Sequence, residues 1–145
     1  MIDNNWERVT ASGLRAFAPV FESSTSNLEM IRFDPVSNQA INDAAVDLSD
    51  SLVNNKKLKN LILLDQAASP TDPVSVAFEQ VLFNKSSISS TFLSNHTLKR
   101  LGHRVGNLGS YLRMNLDEGK DLVARQKIMM IHFSGDINIQ PFVDM

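Results

Sequence analysis

One spacing constrains this chain more than any other feature: a short apolar pattern, Leu-x-x-Leu-x-Leu with aliphatic or aromatic replacements, recurs at intervals of 30 residues. It reads Leu28-Glu-Met-Ile31-Arg-Phe33, then Leu58-Lys-Asn-Leu61-Ile-Leu63, then Ile88-Ser-Ser-Thr91-Phe-Leu93. Ahead of each piece the apolar residues fall at helical intervals. They are Leu14, Phe17 and Phe21, then Ala45, Leu48 and Leu52, then Phe78 and Leu82. A strand of about three to five residues with a helix of about three turns cannot close a core alone, so such units must stack.

Stacking predicts an α/β fold, a solenoid whose short strands pair in parallel while the helices return on the outside through right-handed crossovers. The inward ladders are then Leu28/Leu58/Ile88, Ile31/Leu61/Thr91 and Phe33/Leu63/Leu93. Breakers stand where loops belong: Asp34-Pro35 and Ser69-Pro70-Thr71-Asp72-Pro73 follow strands, and Asn54-Asn55 closes a helix. Thr71 or Asp72 starts the next helix, with Pro73 in its first turn. Leu98-Lys-Arg-Leu101 restarts the pattern and adds one further short strand. From about Asp117 to Phe133, Leu122, Met129, Met130 and Phe133 recur at helical spacing, with Gly135 as the stop. Residues 1–105 are therefore read as the repeat array and 106–145 as a helical C-terminal cap that covers its open end. Trp6 covers the first unit, unless Met1 begins a fragment of a longer array.

The segment 86–101, Ser-Ser-Ile-Ser-Ser-Thr-Phe-Leu-Ser-Asn-His-Thr-Leu-Lys-Arg-Leu, together with Gln140-Pro141-Phe142, resembles the terminal portion of a large, divergent family of leucine-rich-repeat proteins. That family belongs to the ribonuclease-inhibitor-like class. The resemblance implies an interaction scaffold that binds another protein and has no catalytic residues. Typical repeats of the class place Asn three residues after the last anchor; here those positions hold Val36, Gln66 and His96. Either the ladder of buried amides is missing, or Asn38 and Asn95 substitute after small insertions.

Composition narrows the chemistry. The chain has 145 residues, no cysteine and a formal net charge of −2, which excludes disulfides, thiolate nucleophiles and zinc fingers. No apolar run approaches the ~20 residues of a membrane span, and no basic region followed by an apolar stretch marks a signal peptide; the expectation is a soluble, cytoplasmic domain. His96, His103 and His132 form no metal-binding spacing, and no Gly-x-Ser-x-Gly elbow supports a small hydrolase. Gly102–Gly109 matches no phosphate loop. No catalytic, cofactor or metal site is expected, and His96 is expected to hydrogen-bond a turn.

Charge is uneven: residues 1–53 carry three Arg against eight acidic residues, and 54–104 carry seven basic residues against three acidic ones. Lys56, Lys57, Lys59, Lys85, Lys99, Arg100 and Arg104 offer a basic edge for nucleic acid or another polyanion. With Phe92 as its single aromatic neighbour, that edge is the second reading. The first reading is a protein partner on the strand face. Side chains alternate, so one outward row is Arg32, Ile62 and Phe92, the adjoining row is Met30, Asn60 and Ser90, and Leu64 extends the surface. The alternative is that Ile137, Ile139 and Phe142 fold back over this patch. The repeat register also sets Glu29 beside Lys59.

Overall fold

The computed structural model describes residues 8–63, 73–102, 108–116 and 119–133. Two short helices, α1 (Ala11–Arg15) and α2 (Ala18–Glu22), open this part of the chain. Thr10 caps α1 by accepting the Gly13 N–H at 3.2 Å. Pro19, in the first turn of α2, lacks an N–H and divides the run in two. The apolar stripe survives the break: Leu14 and Phe21 are buried, and Phe17 meets Phe33 edge-on with centroids 4.7 Å apart.

Strand β1 (Met30–Phe33) leads to α3 (Asn38–Ser51), then β2 (Asn60–Leu63) and α4 (Pro73–Leu82). Ser37 caps α3 through the Ala40 N–H. Ile41, Ala44, Ala45, Leu48 and Leu52 recur at the three- and four-residue steps that line one helix face, and all are buried. Pro73 begins α4, as its fixed φ favours; Thr71 and Asp72 lie outside the described residues. β1 and β2 pair in parallel with Met30 opposite Asn60 and Phe33 opposite Leu63, which is the 30-residue register. Lys59 and Glu29 form the expected ion pair at 2.9 Å, exposed and worth at most about 1 kcal/mol.

The next step differs from expectation. Ile88–Phe92 is a helix, α5, and the third strand is β3 (Arg100–Leu101), parallel to β2 with Asn60 opposite Arg100 and Leu61 opposite Leu101. The period therefore lengthens from 30 to 40 residues. Ser87 decides the matter locally: its extended backbone and its hydroxyl, which accepts the Ser90 N–H at 3.0 Å, make it a helix N-cap. Thr91 points inward, but from a helix, and its hydroxyl lies 2.7 Å from the Asn84 carbonyl. The supposed inward anchors Ile88 and Leu93 are 49% and 68% exposed. Leu98 and Leu101, the restart noted in the sequence, are buried instead.

What sets the positions of β2 and β3 is a buried amide placed before each of them rather than after it. Asn55 Oδ1 accepts the N–H groups of Lys57 and Leu58 at 2.9 and 2.7 Å, and its Nδ2 donates to Phe21 O. Forty residues on, Asn95 Oδ1 accepts from Thr97 and Leu98, while its Nδ2 donates to Leu52 O and Asn55 O. Each amide closes its own turn and ties it to the unit before. Asn115 adds a third rung, its Nδ2 reaching Leu98 O at 2.6 Å. Of the two substitutes considered, Asn95 serves this role, whereas Asn38 begins α3.

Helices α6 (Leu108–Met114) and α7 (Lys120–His132) follow. The buried face of α7 is Val123, Ala124 and Lys127; Leu122 and Met130, expected on the apolar side, are exposed. Lysine at position 127 hid that face from a hydrophobic pattern. Among the described residues no helix is long and apolar enough to cross a membrane. Trp6, Gly135 and Gln140–Phe142 lie outside the described residues.

Two paired substitutions test the 40-residue register. Leu98→Ala should cost about 2–5 kcal/mol by urea denaturation, and Ile88→Ala about 0.5 kcal/mol. The opposite order would restore Ile88 as the anchor. Asn95→Ala should cost about 2–4 kcal/mol, because it strands buried backbone groups at two turns.

Candidate functional site

The sheet has one face on the core and one face away from it. Ile31, Phe33, Leu61, Leu63 and Leu101 turn inward, so Met30, Arg32, Asn60, Ile62 and Arg100 share the other face. Met30 is 64% exposed; Arg32 and Arg100 are exposed, and Asn60 and Ile62 half-buried. Register fixes the rows as Met30–Asn60–Arg100 and Arg32–Ile62. The residue after β3 is Gly102, with φ +60°, and a Cβ there would sit 3.0 Å from Leu63 O. Residue 102 therefore places no side chain on that flank of Ile62.

Four of the six residues expected to bind a partner, Met30, Arg32, Asn60 and Ile62, are brought together on this face. Phe92 is not: it sits on α5, 49% exposed, because the segment carrying it is helical. Ser90 leaves the strand face for the same reason. Leu64, Ile137, Ile139 and Phe142 lie outside the described residues. Arg100 takes the place assigned to Ser90, and the signal for it was the Leu98-Lys-Arg-Leu101 restart read together with Asn95.

The basic edge is divided. Lys59 is paired with Glu29, and Lys85 with Glu79 at 2.6 Å. The bond to Glu79 holds the Lys85 ammonium above its ordinary range, over the stacked rings of Phe83 and Tyr111. Lys99 and Arg100 line a cavity of about 260 Å³ with Arg113, while Lys56 lines a different one. Arg104 and His103 lie outside the described residues.

Sequence reasoning missed the most unusual group in the molecule. Lys127 is fully buried, and its Nζ donates to Leu82 O at 2.7 Å, Asn95 O at 3.3 Å and His96 Nδ1 at 3.1 Å. His96 Nε2 lies 2.9 Å from Phe92 O. A carbonyl only accepts, so the imidazole proton is on Nε2 and Nδ1 receives the Lys127 N–H. The expected role of His96 at a turn is thus observed, with Lys127 as an unexpected second partner. His132 Nε2 meets Thr91 Oγ1 at 3.0 Å and joins α7 to α5. The three acceptors of Lys127 bolt α7 to the end of α4 and to the turn before β3. Among the described residues no group of three His, Cys, Asp or Glu is placed to hold a metal ion.

Burial pushes the Lys127 amine down to about 7. Burial first, then the neighbouring Lys127 charge, lowers His96 to about 4, against a smaller opposing effect of the bond to Phe92 O. Comparison with known proteins returned no match to any family model, curated protein or solved structure.

Both shifts have the same sign for stability. The unfolded chain binds more protons from about pH 4 to 6.5 and again from about pH 7 to 10.5, so stability should rise with pH across both windows. Denaturation midpoints measured from pH 4 to 10.5 should show both rises. His96→Gln should abolish the first and Lys127→Met the second; an unchanged profile in both variants would exclude these groups as its source.

Proposed function

We propose that the chain is a non-catalytic scaffold that binds a protein partner through the strand face bearing Met30, Arg32, Asn60, Ile62 and Arg100. On this reading it is a leucine-rich-repeat solenoid of the ribonuclease-inhibitor-like class, with residues 1–105 as the array and 106–145 as its cap. Three features support the solenoid part. The anchors stand in step at 28, 58 and 98; the buried amides of Asn55 and Asn95 do the same work forty residues apart; and the strands pair in parallel.

The observation that carries the binding part is Met30, an unbranched apolar side chain 64% exposed on a sheet face that also presents the exposed Arg32 beside it on β1 and Arg100 two strands away. Methionine adapts its shape to varied apolar surfaces, and arginine is enriched where proteins meet. Leu64 and Phe92 were also expected at the interface; Phe92 belongs to another surface, described below. The polyanion reading has less support, since Lys59 and Lys85 already have carboxylate partners.

Met30→Ser combined with Ile62→Ser tests the proposal. Chemical crosslinking of the wild-type chain in cell extract, followed by mass spectrometry, should yield a specific partner whose capture falls at least about tenfold in the variant. The melting temperature should move by less than about 4 °C. A much larger fall would make Ile62 part of the core, and undiminished capture would place the functional surface elsewhere.

A further inference from the structure

Three of the exposed apolar side chains converge on a single concavity away from the strand face. Val53 precedes the turn into β2, and Phe92 and Leu93 stand at the end of α5; they are 43%, 49% and 68% exposed. Together with the start of α7 they enclose a cavity of about 220 Å³. Its rim carries Lys56 and Lys120, and neither has an ion-pair partner among the described residues, where the pairs are Arg15–Asp47, Lys59–Glu29 and Lys85–Glu79. Among the described residues Asp121 is the single carboxylate of the lining, and His96 forms part of its wall. Behind His96 sits the buried Lys127, whose Nζ lies 3.1 Å from His96 Nδ1.

We propose that this cavity docks an acidic peptide segment of a partner protein, with one large apolar side chain of that segment inserted between Val53, Phe92 and Leu93 and its carboxylates on Lys56 and Lys120. Charge complementarity selects the occupant. The apolar walls gain from covering a hydrophobic side chain, and the two lysines gain from carboxylates on either side of it. A nucleic acid is disfavoured because it needs a row of stacking aromatics along a cationic track, and among the described residues Phe92 is the lone aromatic of the lining. The cavity is built by the amide ladder itself, since Asn55 and Asn95 fix the two turns that form its walls. Being on a different surface, it stands independently of the strand-face proposal.

Fluorescence anisotropy with three labelled octapeptides tests it, each made of Asp and Glu around one central Phe, Leu or Trp. At low salt at least one should bind saturably, and backbone amide shifts should cluster at Val53, Lys56, Phe92 and Leu93. Lys56→Glu with Lys120→Glu should weaken that binding at least tenfold, and so should Leu93→Ser, whose side chain is too exposed to support the core. The Met30→Ser, Ile62→Ser variant should bind as wild type, so that a failure here is distinct from a failure of the strand-face reading. No binding by any of the three peptides would overturn the proposal. So would equal binding of a lysine-for-acid control, shifts confined to another surface, or capture by phosphatidylserine vesicles in place of the peptides.

Discussion

Asn95 joins the turn into β3 to the preceding unit, to α4, to the end of α6 and to α7 through hydrogen bonds of its side chain and backbone. Its side-chain carbonyl oxygen closes the turn into β3, and its amide donates to Leu52 O and Asn55 O of the preceding unit. Its backbone N–H donates to Val81 O, and its backbone carbonyl receives both Lys127 and Asn115. Hydrophobic burial is non-directional and rewards many registers nearly equally. A buried amide with fixed donors and acceptors rewards one. The apolar ladders supply the driving force, and Asn55 and Asn95 convert it into a defined stagger of strands.

Lys127 extends the same logic to the outer layer. A buried ammonium is costly, and replacing its hydration requires acceptors in fixed positions. Here they are the last carbonyl of α4, the Asn95 carbonyl and an imidazole nitrogen, each from chain segments that α7 must touch only in its native position. α7 therefore docks in one orientation, although its remaining buried face, Val123 and Ala124, is small and nearly featureless. The polar bolt supplies specificity that so modest an apolar stripe lacks.

The α/β class, the parallel pairing of residues 28–33 with 58–63, and helix α3 were legible because apolar spacing alone encodes them. The third strand was misplaced because Ile88-Ser-Ser-Thr91-Phe-Leu93 satisfies the strand template and a helical turn equally well. Ser87 as N-cap resolves that ambiguity, and so does the absence of an asparagine three residues before Ile88, where Lys85 stands. The family spacing puts the amide after the strand, whereas Asn55 and Asn95 stand before β2 and β3. Met30, Arg32, Asn60 and Ile62 followed from alternation within two correctly placed strands; Phe92 was lost with the third. Lys127 had no signal at all, because a lysine in a helix is ordinarily read as solvated.

The long reach of Lys127 also imposes an order on assembly. Its partners Leu82 and Asn95 precede it by 45 and 32 residues. During synthesis at roughly 5–20 residues per second, the turn at Asn95 waits on the order of seconds before residue 127 exists. Throughout that interval the Leu82 carbonyl, the Asn95 carbonyl and His96 Nδ1 lack the Lys127 donor that they share in the folded chain. β1, α3 and β2 carry their own amide, Asn55, and owe nothing to α7. The nascent chain thus divides into an earlier part, whose Asn55 turn forms without α7, and a later part that stays open until α7 arrives, and that is the interval in which a chaperone or an early-bound partner has access to it.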